Sequence, residues 1–145
     1  MKVYAKVTVA GRSKYTEVDV VNKKNPEWNA TLCFIVPEEY IVRGEIPAYI
    51  ELFCRRSLSY DKYIGELNLT LSPYYKGECT LLVRRNDDSN RNKSFGSLKF
   101  SYELGDKVLV VVSNPSSSSM NYTRIINLLK IGVGVASLMV TTLSS

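Results

Sequence analysis

The residues of this sequence that could do chemistry together are cations gathered in one short segment, FCRRSLSYDKYIGEL at positions 53–67. One apolar strand is expected to end at Phe53 and another to leave at Tyr63, so the segment between them is a loop. That loop carries three basic side chains against one acidic one: Arg55, Arg56 and Lys62 against Asp61. Permanent positive charge in a loop attracts an anionic membrane, a nucleic acid or an acidic protein.

Catalysis is not expected from this composition. The chain contains no histidine, which excludes Ser-His-Asp and Cys-His nucleophiles and any metal site that needs histidine. Its cysteines fit neither zinc spacing nor a disulfide framework, and we expect reduced thiols in or near a core at Cys33, Cys54 and Cys79. The acidic pairs at 38–39 and 87–88 are typical of a solvated surface. We therefore expect a binding protein that is not an enzyme and has no cofactor and no metal.

Length and charge agree with a small domain that has an anionic partner. The chain has 145 residues, and 19 Lys and Arg against 14 Asp and Glu give it a net charge of +5. This length suits one domain of about 100–110 residues followed by a tail. The positive charge favours anionic membrane, acidic protein or nucleic acid as partner.

Alternating apolar and polar residues predict strands along most of the chain. The first predicted strand has one apolar face made of Val3, Ala5, Val7 and Val9. Further strands are expected at about 14–21, 29–36, 48–53, 62–71, 79–85 and 95–104, with 107–112 as a candidate eighth strand. Seven short strands separated by turns, without a helical period, indicate an all-β antiparallel sandwich.

Two motifs carry a resemblance to a known family. The segment 25–34, NPEWNATLCF, resembles the C2 domain signature Asn-Pro-x-Trp-Asn followed by an alternating strand, and the start of 63–67, YIGEL, resembles a later strand of that family. The closing strand at 96–105, with Val-Arg-Arg at 83–85 shortly before it, is similar to small plant C2 proteins of the cold-regulated type. The resemblance covers residues 2–105 and implies an eight-stranded-type antiparallel C2 β-sandwich.

The family normally has one more strand before the segment that matches residues 1–4. The resemblance therefore implies a sandwich that lacks its N-terminal strand. Either residues 107–112 fill that place, or the sequence is an incomplete product. A sandwich that lacks a strand would expose backbone donors, backbone acceptors and part of an apolar face.

The resemblance also implies where calcium ligands would stand. By alignment, the expected acidic positions are occupied by Lys2, Cys54, Arg56 and Lys62. Asp61 alone cannot replace the several carboxylate oxygens that Ca²⁺ requires. Lys23 and Lys24 belong to a second loop that the family places at the same end. We call the resulting lipid-binding set the basic tip: Lys2, Lys23, Lys24, Arg55, Arg56 and Lys62, with Leu58 and Tyr60 at the loop apex.

The C-terminal part is expected to be separate from residues 1–112, the predicted C2 domain. Residues 113–121 are rich in serine, as in a flexible linker. Residues 122–145 are an apolar tail, which we expect to be helical and a candidate membrane anchor. The 13 uncharged residues after Lys130 would make a helix of roughly 20 Å against a bilayer core of ~30 Å, so a shallow insert fits better than a span. A helix packed on the domain is the alternative.

These observations predict a calcium-independent module that docks on anionic phospholipid. The start of the chain lacks a signal peptide, so we expect it at the cytoplasmic face of the plasma membrane or the endoplasmic reticulum, tail-anchored if the tail inserts. By resemblance, the role would be in plant stress or defence signalling or in membrane traffic. The alternative is a protein-interaction adaptor that uses the basic tip or an exposed sheet edge. Nucleic acid is not an expected partner, because Asp87-Asp88 interrupts the basic run at 84–93 and no stacking motif accompanies it.

Overall fold

The computed structural model describes residues 2–85, 94–113 and 121–138. They form eight strands and one short helix: β1 (Val3–Val9), β2 (Arg12–Tyr15), β3 (Glu27–Val36), α1 (Glu38–Arg43), β4 (Ile46–Cys54), β5 (Lys62–Leu71), β6 (Gly77–Leu82), β7 (Gly96–Ser113) and β8 (Asn121–Leu138). Two four-stranded sheets have the orders β2-β1-β4-β5 and β3-β8-β7-β6, and all neighbouring strands are antiparallel. The prediction of an antiparallel β-sandwich is confirmed.

The core lies between the inward faces of the two sheets. The predicted apolar face of β1 is fully buried, as expected for a strand in which every second side chain points inward. β4 contributes a similar inward row, and the opposite sheet contributes Phe34, Leu98, Phe100, Leu129 and Ile131. Trp28 packs against this core and its indole Nε1 donates a 3.1 Å hydrogen bond to the carbonyl oxygen of Val3.

The predicted C-terminal helix is wrong, because residues 121–138 form β8. This strand lies between β3 and β7 and pairs with both. Its inward side chains Leu129, Ile131 and Val133 are buried at every second position. The segment is rich in β-branched residues, which favour strands, and its two glycines weaken a helix. Residues 107–112 continue β7, so the eighth strand comes from the tail.

A close approach between strands explains the glycine in the YIGEL motif. The amide of Glu66 donates to the carbonyl oxygen of Arg84 at 2.6 Å, and the amide of Arg84 donates back at 3.0 Å. A Cβ atom on Gly65 would lie 2.6 Å from a methyl carbon of Val83 and 2.9 Å from the carbonyl oxygen of Arg84. A glycine is therefore required where β5 crosses the end of β6.

Other local predictions need correction. The strand predicted at 14–21 is shorter and begins earlier, because β2 spans Arg12–Tyr15. The chain leaves the sheet after Tyr15 and pairs with β1 again through a single bridge between Asp19 and Val3. Helix α1 was not predicted; it is six residues long and ends at Gly44, whose φ of 80° suits glycine. The polar run at 86–93 and most of the serine-rich segment, 114–120, lie outside the described residues.

Candidate functional site

The ends of β1, β4 and β5 bring three of the predicted cations to one end of the sandwich. The amide of Arg55 donates a 2.7 Å hydrogen bond to the carbonyl oxygen of Lys2. Cys54, the residue before Arg55, is the last residue of β4 and pairs with Lys62, the first residue of β5. Lys2, Arg55 and Lys62 therefore stand on adjacent chain segments, although 60 positions separate the first from the last.

The 20–26 loop reaches the same end through β1 and β8. Asp19 and Val3 exchange backbone hydrogen bonds of 2.9 and 3.2 Å. On the other side, the amide of Leu138 donates to the carbonyl oxygen of Lys24 at 2.8 Å. Lys23 and Lys24 thus lie at the end of the sandwich that carries Lys2, and the last residues of β8 hold their loop in place.

The Asp19 carboxylate organises the 20–26 loop and is 9 % exposed. Its Oδ1 accepts from the amides of Val21 (2.8 Å) and Asn22 (2.9 Å), and its Oδ2 accepts from Asn22 Nδ2 (2.8 Å) and from the amide of Glu27 (2.7 Å). Burial alone would raise the pKa of Asp19. The hydrogen bonds outweigh burial, led by that from the Asn22 side chain, and hold the pKa of Asp19 well below its ordinary value.

Asp61, the acid of the 55–61 loop, is engaged by β1. Its Oδ2 accepts a 2.5 Å hydrogen bond from the Tyr4 hydroxyl, and its Oδ1 accepts from the amide of Arg56 at 3.4 Å. Burial, followed by this hydrogen bond and the charge of Asp61, raises the pKa of Tyr4 to about 12. The Tyr4 ring is held by Phe53, whose ring centroid lies 5.5 Å away in a stacked arrangement.

The side chains of the basic tip differ in exposure. Lys2, Lys23, Lys24 and Arg55 are exposed, whereas Arg56 and Lys62 are half-buried. The loop apex projects into solvent, with Leu58 98 % and Tyr60 96 % exposed. None of the ion pairs formed by the described residues includes a cation of the basic tip. Arg56 Nε is buried and has no hydrogen-bond partner within the described part of the chain.

Sequence reasoning missed four residues of this end. Val20 and Val21 were assigned to the strand predicted at 14–21, with Val20 on its apolar face, but they are 62 % and 76 % exposed in the 20–26 loop, beside its lysines. Asp19 was not singled out, although an Asp in a loop commonly accepts a hydrogen bond from the backbone two residues on, as Asp19 does from Val21. Tyr4 could not have been found, because its partner lies 57 positions away.

Two kinds of site, a metal centre and a membrane-spanning helix, are not formed by the described residues. Across the described ranges, no group of three or more Cys, Asp or Glu side chains could hold a metal ion. The positions that the resemblance predicted to align with calcium ligands are Lys2, Cys54, Arg56 and Lys62, none of which offers a carboxylate. Among residues 2–85, 94–113 and 121–138, no helix has the length and apolar composition needed to span a bilayer. A helical anchor is therefore absent from the described part of the tail.

Comparison with known proteins agrees with this architecture. Residues 1–89, more than half of the chain, match the family described as C2 domain. No curated protein and no solved structure matches the chain.

Proposed function

Because this chain belongs to the C2 domain family, whose members associate with membranes or bind proteins, we propose that it is a non-catalytic, calcium-independent module that docks on anionic phospholipid through its basic tip. The observation that carries the proposal is the convergence of six cations from three segments at one end of the sandwich, without ion-pair partners among the described residues. The anionic lipid surface would supply the missing negative charge.

The size of the expected attraction supports useful but reversible binding. Each basic residue near an anionic leaflet contributes about 1 kcal/mol. Four of the six cations are exposed, so together they would contribute several kcal/mol at physiological salt. The half-buried Arg56 adds its positive charge to the same end, and a phosphate oxygen accepts well from a guanidinium.

Exposed apolar side chains at the same end support contact with the lipid interface. Leu58 and Tyr60 stand at the apex of the 55–61 loop, and Val20 and Val21 stand on the neighbouring 20–26 loop. A tyrosine suits the boundary between headgroups and acyl chains, because its ring is apolar and its hydroxyl remains hydrated. We propose that these four side chains enter the interface once the cations have docked.

Calcium independence is supported by the chemistry of two carboxylates described at this end, Asp19 and Asp61. Asp19 already accepts four hydrogen bonds and Asp61 accepts two. Ca²⁺ requires six to eight oxygen ligands, and two occupied carboxylates beside six cations are a poor source of them. The tip would therefore be attractive to anions at all calcium concentrations.

We further propose, from resemblance alone, a role of the plant cold-regulated type in stress or defence signalling or in membrane traffic, at the cytoplasmic face of the plasma membrane or the endoplasmic reticulum.

The alternative function is a protein-interaction adaptor. It is favoured by the outer edge of β2, whose four residues are all exposed and could pair with a strand of another protein.

The test is co-sedimentation of the full chain with vesicles of neutral phosphatidylcholine or of phosphatidylcholine mixed with anionic phosphatidylserine. We expect pelleting with the anionic vesicles alone, equally in calcium and in chelator, and weakening with salt because the Debye length is ~8 Å at physiological ionic strength. Reversal of the four exposed tip cations should abolish it: Lys2→Glu, Lys23→Glu, Lys24→Glu and Arg55→Glu.

A matched control changes the net charge equally at exposed sites outside the basic tip: Arg12→Glu, Lys14→Glu, Arg43→Glu and Lys76→Glu. This variant should keep most of the binding. Equal loss in both variants would mean that only net charge matters. Absence of binding to anionic vesicles, or binding that ignores lipid charge, would overturn the proposal in favour of the adaptor.

A further inference from the structure

The hairpin formed by β7 and β8 is longer than the sheet that contains it. β6 pairs with β7 only as far as Tyr102, and β3 pairs with β8 only as far as Asn127. The two strands continue to pair with each other from Val108–Ile126 to Ser113–Asn121. We call residues 108–113 and 121–126 the ribbon. Its six residue pairs extend roughly 20 Å at ~3.3 Å per residue.

The ribbon pairs an uncharged apolar segment, 108–112, with the more polar segment 121–126, which includes Arg124. Of its described side chains, Leu109 and Ile125 are exposed and Ile126 is half-buried. Residues 108–112 read VLVVV, without charge, proline or glycine. Leu109 is 70 % exposed and its cross-strand partner Ile125 is 47 % exposed. An isolated two-stranded ribbon is at best marginally stable in water, so apolar residues in this position gain stability from a partner.

The outer edge of β7, on the side away from β8, is the second feature of the ribbon. No strand of the described part of the chain pairs with this edge beyond Tyr102. Natural edges are usually protected by charge, proline or bulges, and the 108–112 segment has none of these in its sequence. Lys107, which precedes this segment, is already held by Glu38 at 2.5 Å, and Arg124 is on the neighbouring strand, paired with Val110. The edge therefore presents backbone donors and acceptors along a segment whose sequence is uncharged.

These properties identify the class of partner. A hydrocarbon interior cannot accept the ribbon, because unpaired backbone groups of an open edge cost several kcal/mol each in lipid. A β-strand supplies the missing hydrogen bonds, and a second copy of this chain carries one with the same uncharged sequence. We propose that the 108–113 edges of two copies pair antiparallel about a two-fold axis, the commonest symmetry of dimers.

The expected dimer is weak. One edge of roughly 20 Å buries less area than the ~1,600 Å² of a standard interface. Self-association should therefore appear at micromolar rather than nanomolar concentration.

The dimer would place the two basic tips at its far ends. The amide of Leu138, the last residue of β8, bonds to Lys24 in the basic tip, whereas the ribbon begins at the opposite end of β8. Antiparallel pairing of the ribbons therefore directs the two tips away from each other. The dimer would then bridge two anionic vesicles. This consequence, unlike the pairing itself, rests on the proposed lipid docking.

The pairing is tested first without lipid, so that its failure and the failure of lipid docking are distinguishable. Sedimentation velocity of the full chain over a micromolar concentration series should show a monomer–dimer equilibrium. Leu109→Lys places a charge on the open edge at a site 70 % exposed in the monomer, and it should raise the dimer dissociation constant at least about tenfold. Val21→Lys is the control, since Val21 is equally apolar and 76 % exposed but lies at the basic tip.

Hydrogen exchange gives a second readout that does not depend on a variant. Amides of residues 108–113 should become protected as the concentration rises, whereas those of the 20–26 loop should not. A monomer throughout the series, a dimer that Leu109→Lys does not weaken, or ribbon protection that ignores concentration would each overturn the proposal. Vesicle clustering, assayed by turbidity, should be lost in Leu109→Lys while vesicle binding by the single tip remains.

Discussion

The hydroxyl of Tyr4 donates a 2.5 Å hydrogen bond to Asp61 Oδ2. This contact fastens the 55–61 loop to β1, and it engages the acid that stands among the cations of that loop. Stacking of Tyr4 on Phe53 fixes the ring that makes the contact. A carboxylate at this position opposes the attraction of the basic tip for an anionic surface.

Asp61→Asn should strengthen vesicle binding. The variant removes one negative charge from the basic tip, and one charge near an anionic leaflet is worth about 1 kcal/mol, or about fivefold in the dissociation constant. The asparagine side chain can still accept the hydrogen bond from Tyr4. The measurement is a titration with anionic vesicles. Asp106→Asn, at an exposed site on β7, is the control and should change affinity much less; an equal gain would contradict a localised tip.

Calcium should change neither stability nor binding. The aligned ligand positions carry Lys2, Cys54, Arg56 and Lys62, and the melting temperature should be the same in millimolar Ca²⁺ and in chelator. A bound ion stabilises the state to which it binds. A saturable rise in melting temperature with calcium would therefore contradict the calcium independence of the proposed function.

Asp19 should make stability depend on pH in the acid range. Because the folded pKa is lowered below the ordinary value of 3.8, the unfolded chain binds more protons in acid. The stabilisation is therefore fully present above about pH 4 and is lost as the pH falls towards the folded pKa. Denaturant unfolding at neutral pH and near pH 3 measures this loss.

Asp19→Asn should remove that contribution. The variant should cost about 2–4 kcal/mol at neutral pH, because an amide replaces a charged acceptor that faces four donors. The deficit relative to the natural chain should shrink near pH 3. Asp106→Asn, being exposed, should change stability by under about 0.5 kcal/mol. A deficit from Asp19→Asn that is independent of pH would show that the carboxylate charge is not the cause.

Two valines of β8 provide a matched test of its place in the core. Val133 is fully buried and Val135 is 39 % exposed, two positions apart in one strand. Val133→Ala should lower the free energy of unfolding by about 2 kcal/mol through lost burial and the cavity left behind. Val135→Ala should cost clearly less. Equal small effects in denaturant unfolding would mean that β8 does not pack in the core.

Local patterns were sufficient to predict much of the sandwich. The alternation of β1 predicts its buried face, because every second residue of a strand points the same way. The boundaries of β5 at Lys62–Leu71 match the prediction for the same reason. The chemical identity of the tip cations and the absence of histidine are also properties of the sequence alone.

The tertiary structure decided what those patterns leave ambiguous. An apolar run such as 125–138 could form a buried strand or a buried helix. It forms a strand because the backbone edges of β3 and β7 each hydrogen-bond to it. The Asp19 carboxylate and the Tyr4–Asp61 pair owe their roles to groups up to 57 positions away. The convergence of Lys2, Lys24 and Arg55 likewise depends on backbone hydrogen bonds between distant segments. Pairing and burial are set by long-range neighbours, so only the folded chain could assign them.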